Sequence, residues 1–471
     1  MAVQEPLVTK TDKTFRDSLS SVDEQGERVF FHPKKPKGRY YNARKILSYF
    51  LLALMFAGPH IRVNGHPFML FNILEREFIL FGVAFWPQDF KLLVLGFITL
   101  VVFIVLFTAV YGRLFCGWIC PQTIFMEMLF RRIEYAIDGD YQAQKKLVAA
   151  PWNAEKIRKR ALKFSLFFGI SFLIANTFLA YLIGSDELFK MISEPLTDHI
   201  GSFIALVLFT GVFFFVFWWF REQACTIVCP YGRLQGVLLD KNSINVAYDW
   251  VRGEPRGKHG RNRDEQLGDC IDCNQCVVVC PTGIDIRNGT QLECVNCTAC
   301  IDACDEVMDK VGKPRGLIRY ASENGIASKM RQVITPRIVA YSLLLTALLG
   351  LFSYLLTTRT TTETSILRAR GQLTLVQEDG SVKNLYMVKT INKSFDELQI
   401  TYRLKTPAEG TLQLVGQNFL VPPQGYREGA FFVILTAHQS NQKLVPIAIE
   451  VLHGEEVLET IKTTFNTSSS N

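Results

Sequence analysis

The chain has 471 residues, of which 49% are hydrophobic and 36 are phenylalanine, and a formal net charge of +7. That length leaves room for several domains, and much of the apolar content must sit in lipid or in a large core. No recognition motif accompanies the positive charge, which sets nucleic acid aside as a partner.

Residues 1–45 are polar and predict a loosely ordered arm. They lack the apolar core of a secretory signal. Five apolar stretches follow, at 46–61, 90–111, 162–184, 200–220 and 338–357. Each approaches the roughly 20 residues that span a bilayer. Segment 68–86 is also apolar, but Glu75-Arg76-Glu77 lies near its centre. Charge is costly in hydrocarbon, so an interfacial or re-entrant segment is expected there.

The distribution of Lys and Arg orients the spans. Six fall in 34–45, ten in 113–163 and fifteen in 221–331, whereas 185–198 carries only Lys190. The positive-inside rule then puts the N-terminus, the loop after the second span and the 221–331 region in the cytoplasm. Five spans leave the tail on the far side, which in a bacterium is the periplasm. All twelve cysteines fall on the cytoplasmic side of this scheme or at its membrane edge, where thiols stay reduced and free to bind metal.

Two copies of one cysteine motif follow the second and fourth spans. They are Cys116-Gly117-Trp118-Ile119-Cys120-Pro121 and Cys225-Thr226-Ile227-Val228-Cys229-Pro230. Tyr111-Gly112-Arg113 precedes the first, and Tyr231-Gly232-Arg233 follows the second. A spacing of four puts both sulfurs on one face if the segment is helical. Pro121 and Pro230 suit a helix start better than an interior, which predicts a turn within each motif. Emerging at one membrane face, the four thiols can converge. Soft thiolates select Cu(I), zinc or iron–sulfur clusters and can also cycle through a disulfide. Small buried residues packing helix ends are the alternative, and the repetition favours the redox or metal role.

Two quartets come next: Cys270-x2-Cys273-x2-Cys276-x3-Cys280-Pro281 and Cys294-x2-Cys297-x2-Cys300-x3-Cys304. Runs of this spacing hold two [4Fe–4S] clusters in bacterial ferredoxins, each run giving its fourth Cys to the other cluster. The expected ligand sets are Cys270, Cys273, Cys276 and Cys304 for one cluster, and Cys294, Cys297, Cys300 and Cys280 for the other. Structural zinc usually shows Cys pairs separated by a longer loop, which fits this spacing less well. The chain therefore handles single electrons.

From residue 368 the pattern changes to short stretches of period-two alternation, including 372–376, 398–404, 411–415, 430–436 and 445–451. About seven such strands in roughly 110 residues predict an immunoglobulin-like sandwich.

Asn64-Gly65, Trp86-Pro87-Gln88-Asp89, both Cys-x3-Cys-Pro motifs and both quartets occur together in this order. In that combination the chain resembles the cytochrome c oxidase accessory protein family, also called CcoG, FixG or RdxA, over nearly its whole length. The resemblance implies a membrane-bound cupric reductase of the bacterial inner membrane. It would reduce Cu(II) to Cu(I) for the copper centre of cbb3-type cytochrome c oxidase, with the oxidase assembly machinery and copper-delivery proteins as partners. Cys116, Cys120, Cys225 and Cys229 become the copper or thiol redox site.

Two other functions remain open: a quinol-linked electron conduit like the ferredoxin-type subunits of nitrate and nitrous oxide respiration, or a non-catalytic oxidase assembly factor. The expected organisation is a multidomain membrane protein. A polar arm (1–45) leads into a four-span helical region (46–240), then a two-cluster ferredoxin-like insert (241–335) and a fifth transmembrane helix (336–358). A periplasmic immunoglobulin-like β-sandwich (359–471) completes it.

Overall fold

A computed structural model describes residues 20–467 except 23–24, 26, 64, 74–76, 87–88, 194, 196–199, 259–266, 329–333, 370–373, 378–379, 417–418 and 437–443. The chain divides into two units. One comprises Met1–Ile61 with Gly96–Leu349, the other Arg62–Leu95 with Gly350–Asn471.

Among the described residues, four helices are long and apolar enough to cross a membrane: Phe90–Tyr111, Ala154–Ile183, Phe203–Phe220 and Pro336–Thr357. The Ala154–Ile183 helix is closed at both ends by local chemistry. Asn153 caps its start by accepting from the Lys156 N–H, and Gly184 ends it with φ of 88°. The first expected span differs. Its helix runs Arg39–Ala57, starting upstream of residue 46, and it is not among the four. The reason is composition: Arg39, Arg44 and Lys45 fall in its first two turns, and Arg44, 4% exposed, donates to protein carbonyls.

The helices of the first unit pack through aromatic rings. Phe130 stacks on Phe217 at 4.4 Å and meets Phe167 edge-on at 4.8 Å. Three π-helical turns, Phe125–Phe130, Val216–Phe220 and Ala224–Val228, interrupt the regular winding. Such turns are frequent at functional sites. Glu134, buried in the Arg131–Ile137 helix that follows the first of them, takes ion pairs from Lys163 and Arg221.

Two helices of the insert, Gln275–Val278 and Ala299–Lys310, each follow a loop with two cysteines and carry the third cysteine of their run. A two-stranded antiparallel ladder, Asn245–Tyr248 with Ile318–Ala321, closes it. The two loops repeat one backbone conformation. Asp272 and Asn274 in the first, and Asn296 and Thr298 in the second, have φ of 51°, 55°, 54° and 65°. Left-handed conformation is costly for a β-branched residue such as Thr298, and such outliers gather where structure serves a ligand.

The polar arm is ordered where it is described. Lys34 donates through its backbone to the Val278 carbonyl (2.9 Å) and through Nζ to Gln275 (3.0 Å), and Ser20 donates to the Thr282 carbonyl. It straps the short helix of the first quartet.

In the second unit the expected sandwich is present. Strands Thr411–Val415, Tyr426–Leu435, Val382–Asn392 and Thr362–Arg368 form one sheet, with Thr374–Val376 also on Val382–Asn392. The other sheet is Phe419–Val421, Leu398–Thr406, Leu444–His453 and Glu456–Asn466. Alternate residues of both, among them Tyr386, Phe431, Val433, Ile449, Val451 and Phe465, make the core. The Tyr386 hydroxyl crosses between sheets to the Thr464 carbonyl at 2.9 Å.

Segment 68–86, expected to be interfacial or re-entrant, is β-structure in its described residues. It folds as a three-stranded antiparallel sheet, Met69–Asn72, Glu77–Leu80 and Val83–Phe85. Leu70, Ile79 and Ala84 turn to one face, where Phe395 of the sandwich packs against them. That period-two burial is what makes these apolar residues strands and not a lipid-facing helix.

Candidate functional site

The quartets build two cavities. Cys270, Cys273, Cys276 and Cys304 line one, together with Tyr248 and Ile318. Cys280, Cys294, Cys297 and Cys300 line the other with Val246, and Cys276 lies on the wall common to both. Each cavity thus draws three thiols from one run and the fourth from the other. The third cysteine of each run starts a helix, Cys276 in Gln275–Val278 and Cys300 in Ala299–Lys310; Cys280 lies just past the first helix, and Cys304 one turn on from Cys300 in the second.

The donor set suits a thiolate-bound cluster. Burial pushes the Cys276, Cys294 and Cys304 thiols up to about 12 and Cys297 up to about 11. Thiols so buried ionise only around a positive centre that repays their desolvation. Among the described residues no three His, Cys, Asp or Glu side chains close on a point as ligands of one ion. The thiols are spread around a space instead.

The paired motifs lie against the second cavity. Cys116 is in the short helix Leu114–Trp118, and Cys120 stands before the helix Pro121–Ile124 with Pro121 at its first position. Cys225 is in the turn Ala224–Val228, and Cys229 stands before Pro230–Leu238 in the same way. The prolines therefore start helices, and a bend separates the two sulfurs of each motif. Cys116 packs on the cluster formed by Val279, Val295, Cys297 and Ala299.

All four thiols lie within electrostatic reach of one another. Burial raises Cys116 to about 11, with Cys120 and Cys229 adding to the rise. Cys225 is raised by burial and then by Cys120, Cys116 and Cys229. The Cys116 Sγ donates to Gln235 Oε1 at 3.3 Å.

Three residues that spacing arguments passed over hold the motifs to the quartet. Gly117 leaves no room for a side chain: a Cβ there would lie 2.5 Å from the Val295 carbonyl oxygen and 2.6 Å from that of Asn296. Arg44 donates through Nε to the Gly117 carbonyl (2.9 Å) and through Nη1 to the Cys297 carbonyl (2.6 Å). Arg113 donates to the carbonyls of Leu292 and Gly232, joining the first motif to the second and to the loop before Cys294. The glycine inside the Cys-x3-Cys run and the arginine of Tyr111-Gly112-Arg113 were the available signals. Arg44 gave none, being one of many basic residues before the first span.

A helical membrane region whose duplicated thiols abut a two-cavity cysteine insert defines a membrane-bound iron–sulfur electron-transfer protein. Comparison with known proteins agrees. Residues 220–323 match the family model described as a 4Fe-4S dicluster domain, and residues 93–137 one described as a 4Fe-4S binding domain. Residues 352–468 match the IG-like fold at the C-terminal of FixG.

The chain is 33% identical over 436 residues to the nitrogen fixation protein FixG of Rhizobium meliloti, covering 84% of this chain and 82% of that one. It is 34% identical to protein RdxA of Cereibacter sphaeroides over 430 residues, covering 88% and 90%. Protein RdxB of the same organism is also 34% identical, over 415 residues, covering 84% and 86%. The chain belongs to the FixG family.

Proposed function

We propose that this protein is a membrane-bound cupric reductase that passes single electrons to Cu(II) at Cys116, Cys120, Cys225 and Cys229. Cys270, Cys273, Cys276 and Cys304 hold one [4Fe–4S] cluster, and Cys280, Cys294, Cys297 and Cys300 hold the other. Bound there, such clusters supply one-electron storage at potentials tuned by burial and hydrogen bonding. The soft thiols favour the Cu(I) product over Cu(II). The observation that carries the reading is the packing of Cys116 on the Val295–Cys297 loop, with Gly117 at backbone contact.

On the distribution of Lys and Arg, both sites face the cytoplasm and the sandwich faces the periplasm. The Cu(I) product then serves assembly of the cbb3-type oxidase copper centre.

The test uses anaerobically purified, cluster-loaded protein with dithionite as donor and a Cu(I)-specific chelator as readout. A Cys116→Ser/Cys120→Ser/Cys225→Ser/Cys229→Ser variant is expected to keep its iron and lose Cu(II) reduction. Full activity in that variant would remove these thiols from the mechanism.

A further inference from the structure

The Asn245–Tyr248 strand separates two kinds of space. Val246 and Tyr248 border the thiol-lined cavities. On its other side, Asn245 and Ala247, with Tyr248 bordering both spaces, line a cavity of about 350 Å³, within the ~300–1,000 Å³ of small-molecule sites. The strand is bonded directly into the second quartet. Asn245 Oδ1 accepts from Asn296 Nδ2 at 3.0 Å, and Asn296 Oδ1 accepts from the Val246 N–H at 3.2 Å.

The cavity forms where two spans end. Arg113 follows the Phe90–Tyr111 helix, and Asp240 lies 3.8 Å from Arg337 in the first turn of Pro336–Thr357. Its walls mix apolar Trp250 and Leu292 with opposed charges, Arg113 and Lys241 against Asp240 and Glu323. That balance suits a neutral ring better than a phosphate-bearing donor. Arg113 is 4% exposed and its terminal nitrogens donate to the Leu292 and Gly232 carbonyls, which fixes this wall of the cavity.

We propose that this cavity is where electrons enter the protein, and that it takes the ring of a membrane-dissolved quinol against Trp250 and Leu292. The inference rests on the copper-reductase reading, which requires a reductant. Oxidation of one quinol to the quinone breaks two O–H bonds and releases two protons and two electrons. The protons leave past the exposed Glu323, and the electrons convert two Cu(II) to two Cu(I).

Two measurements on the full-length, cluster-loaded protein test this. A short-chain quinone should quench Trp250 fluorescence saturably, and Trp250→Phe should remove that component. A short-chain quinol should bleach the cluster absorbance anaerobically in the parent. Ala247→Phe, which fills the cavity, should slow that bleaching at least tenfold. Iron content and bleaching by dithionite report whether the variant folds. If Ala247→Phe loses its iron, Thr290→Trp at the exposed rim takes its place, with the same expected slowing.

Clusters that dithionite bleaches but quinol does not, or a quinol rate unchanged in the filled cavity, would overturn the proposal. Bleaching by NADH or a reduced flavin in place of quinol would overturn it equally. Failure of the copper reading is separate: it leaves quinol bleaching intact while no Cu(I) forms.

Discussion

Gly117 lies in backbone contact with Asn296, so close that an added Cβ would meet its carbonyl oxygen at 2.6 Å. One residue belongs to the Cys116/Cys120 motif and the other to the second quartet. Backbone atoms cannot yield as a flexible side chain can. Gly117→Ala is therefore expected to push the motif off the quartet loop, costing about 1–3 kcal/mol and most of the Cu(II) reduction. Gly211→Ala, in the Ile200–Phe215 helix with nothing within 4 Å of its Cβ, serves as the control. It should be neutral or slightly stabilising. Thermal unfolding and the Cu(I) assay read both.

Arg44 holds the same joint from the other side. Arg44→Met preserves much of the side-chain volume but leaves the Gly117 and Cys297 carbonyls without their donor. Burial of two unsatisfied acceptors should cost about 3 kcal/mol, seen as a lower Tm in detergent. Arg44→Lys restores one bond at most and should fall between the two.

The crossed ligand sets make a prediction that a run-by-run reading would not. Cys304 belongs to the second run but lines the cavity of Cys270, Cys273 and Cys276. Cys304→Ser should perturb the first cluster and leave the second unchanged by electron paramagnetic resonance, with Cys280→Ser doing the reverse. Iron should fall from about eight towards about four per protein if the altered cluster is lost.

In the second unit, Asp89 accepts ion pairs from Arg359 at 2.6 Å and from Lys393 at 2.7 Å. Burial pushes its carboxyl up, but bonds from Lys393 and the Trp86 N–H, with the charge of Arg359, hold it below the usual range. A depressed folded pKa means stability that is complete above the unfolded value of about 4 and is lost as pH falls through the folded value. Asp89→Asn should remove about 3 kcal/mol at neutral pH and flatten the acid limb of unfolding measured between pH 5 and pH 2.

Much of this organisation was legible in the chain. The quartet spacing anticipated which thiols share a cavity, because three close cysteines and a fourth from the other run leave few other arrangements. Pro121 and Pro230 marked helix starts, since proline at a first helical position loses no hydrogen bond. The sandwich showed in its period-two alternation.

Segment 68–86 was not legible. Its strands are only three or four residues long, too short for alternation to stand out from an apolar run. The partner that buries its face, Phe395, lies hundreds of residues away. Arg44 was hidden for a different reason. In sequence it is one more charge ahead of a span, and only the fold turns its guanidinium onto two carbonyls.

The most direct test of the central claim is a count of Cu(I) from pre-reduced protein. Cluster-loaded protein is reduced anaerobically, freed of dithionite and mixed with excess Cu(II) and a Cu(I) chelator. Two storage sites of one electron each should yield about two Cu(I) per protein, with the cluster absorbance recovering in step. Clusters that stay reduced while no Cu(I) forms would contradict the account.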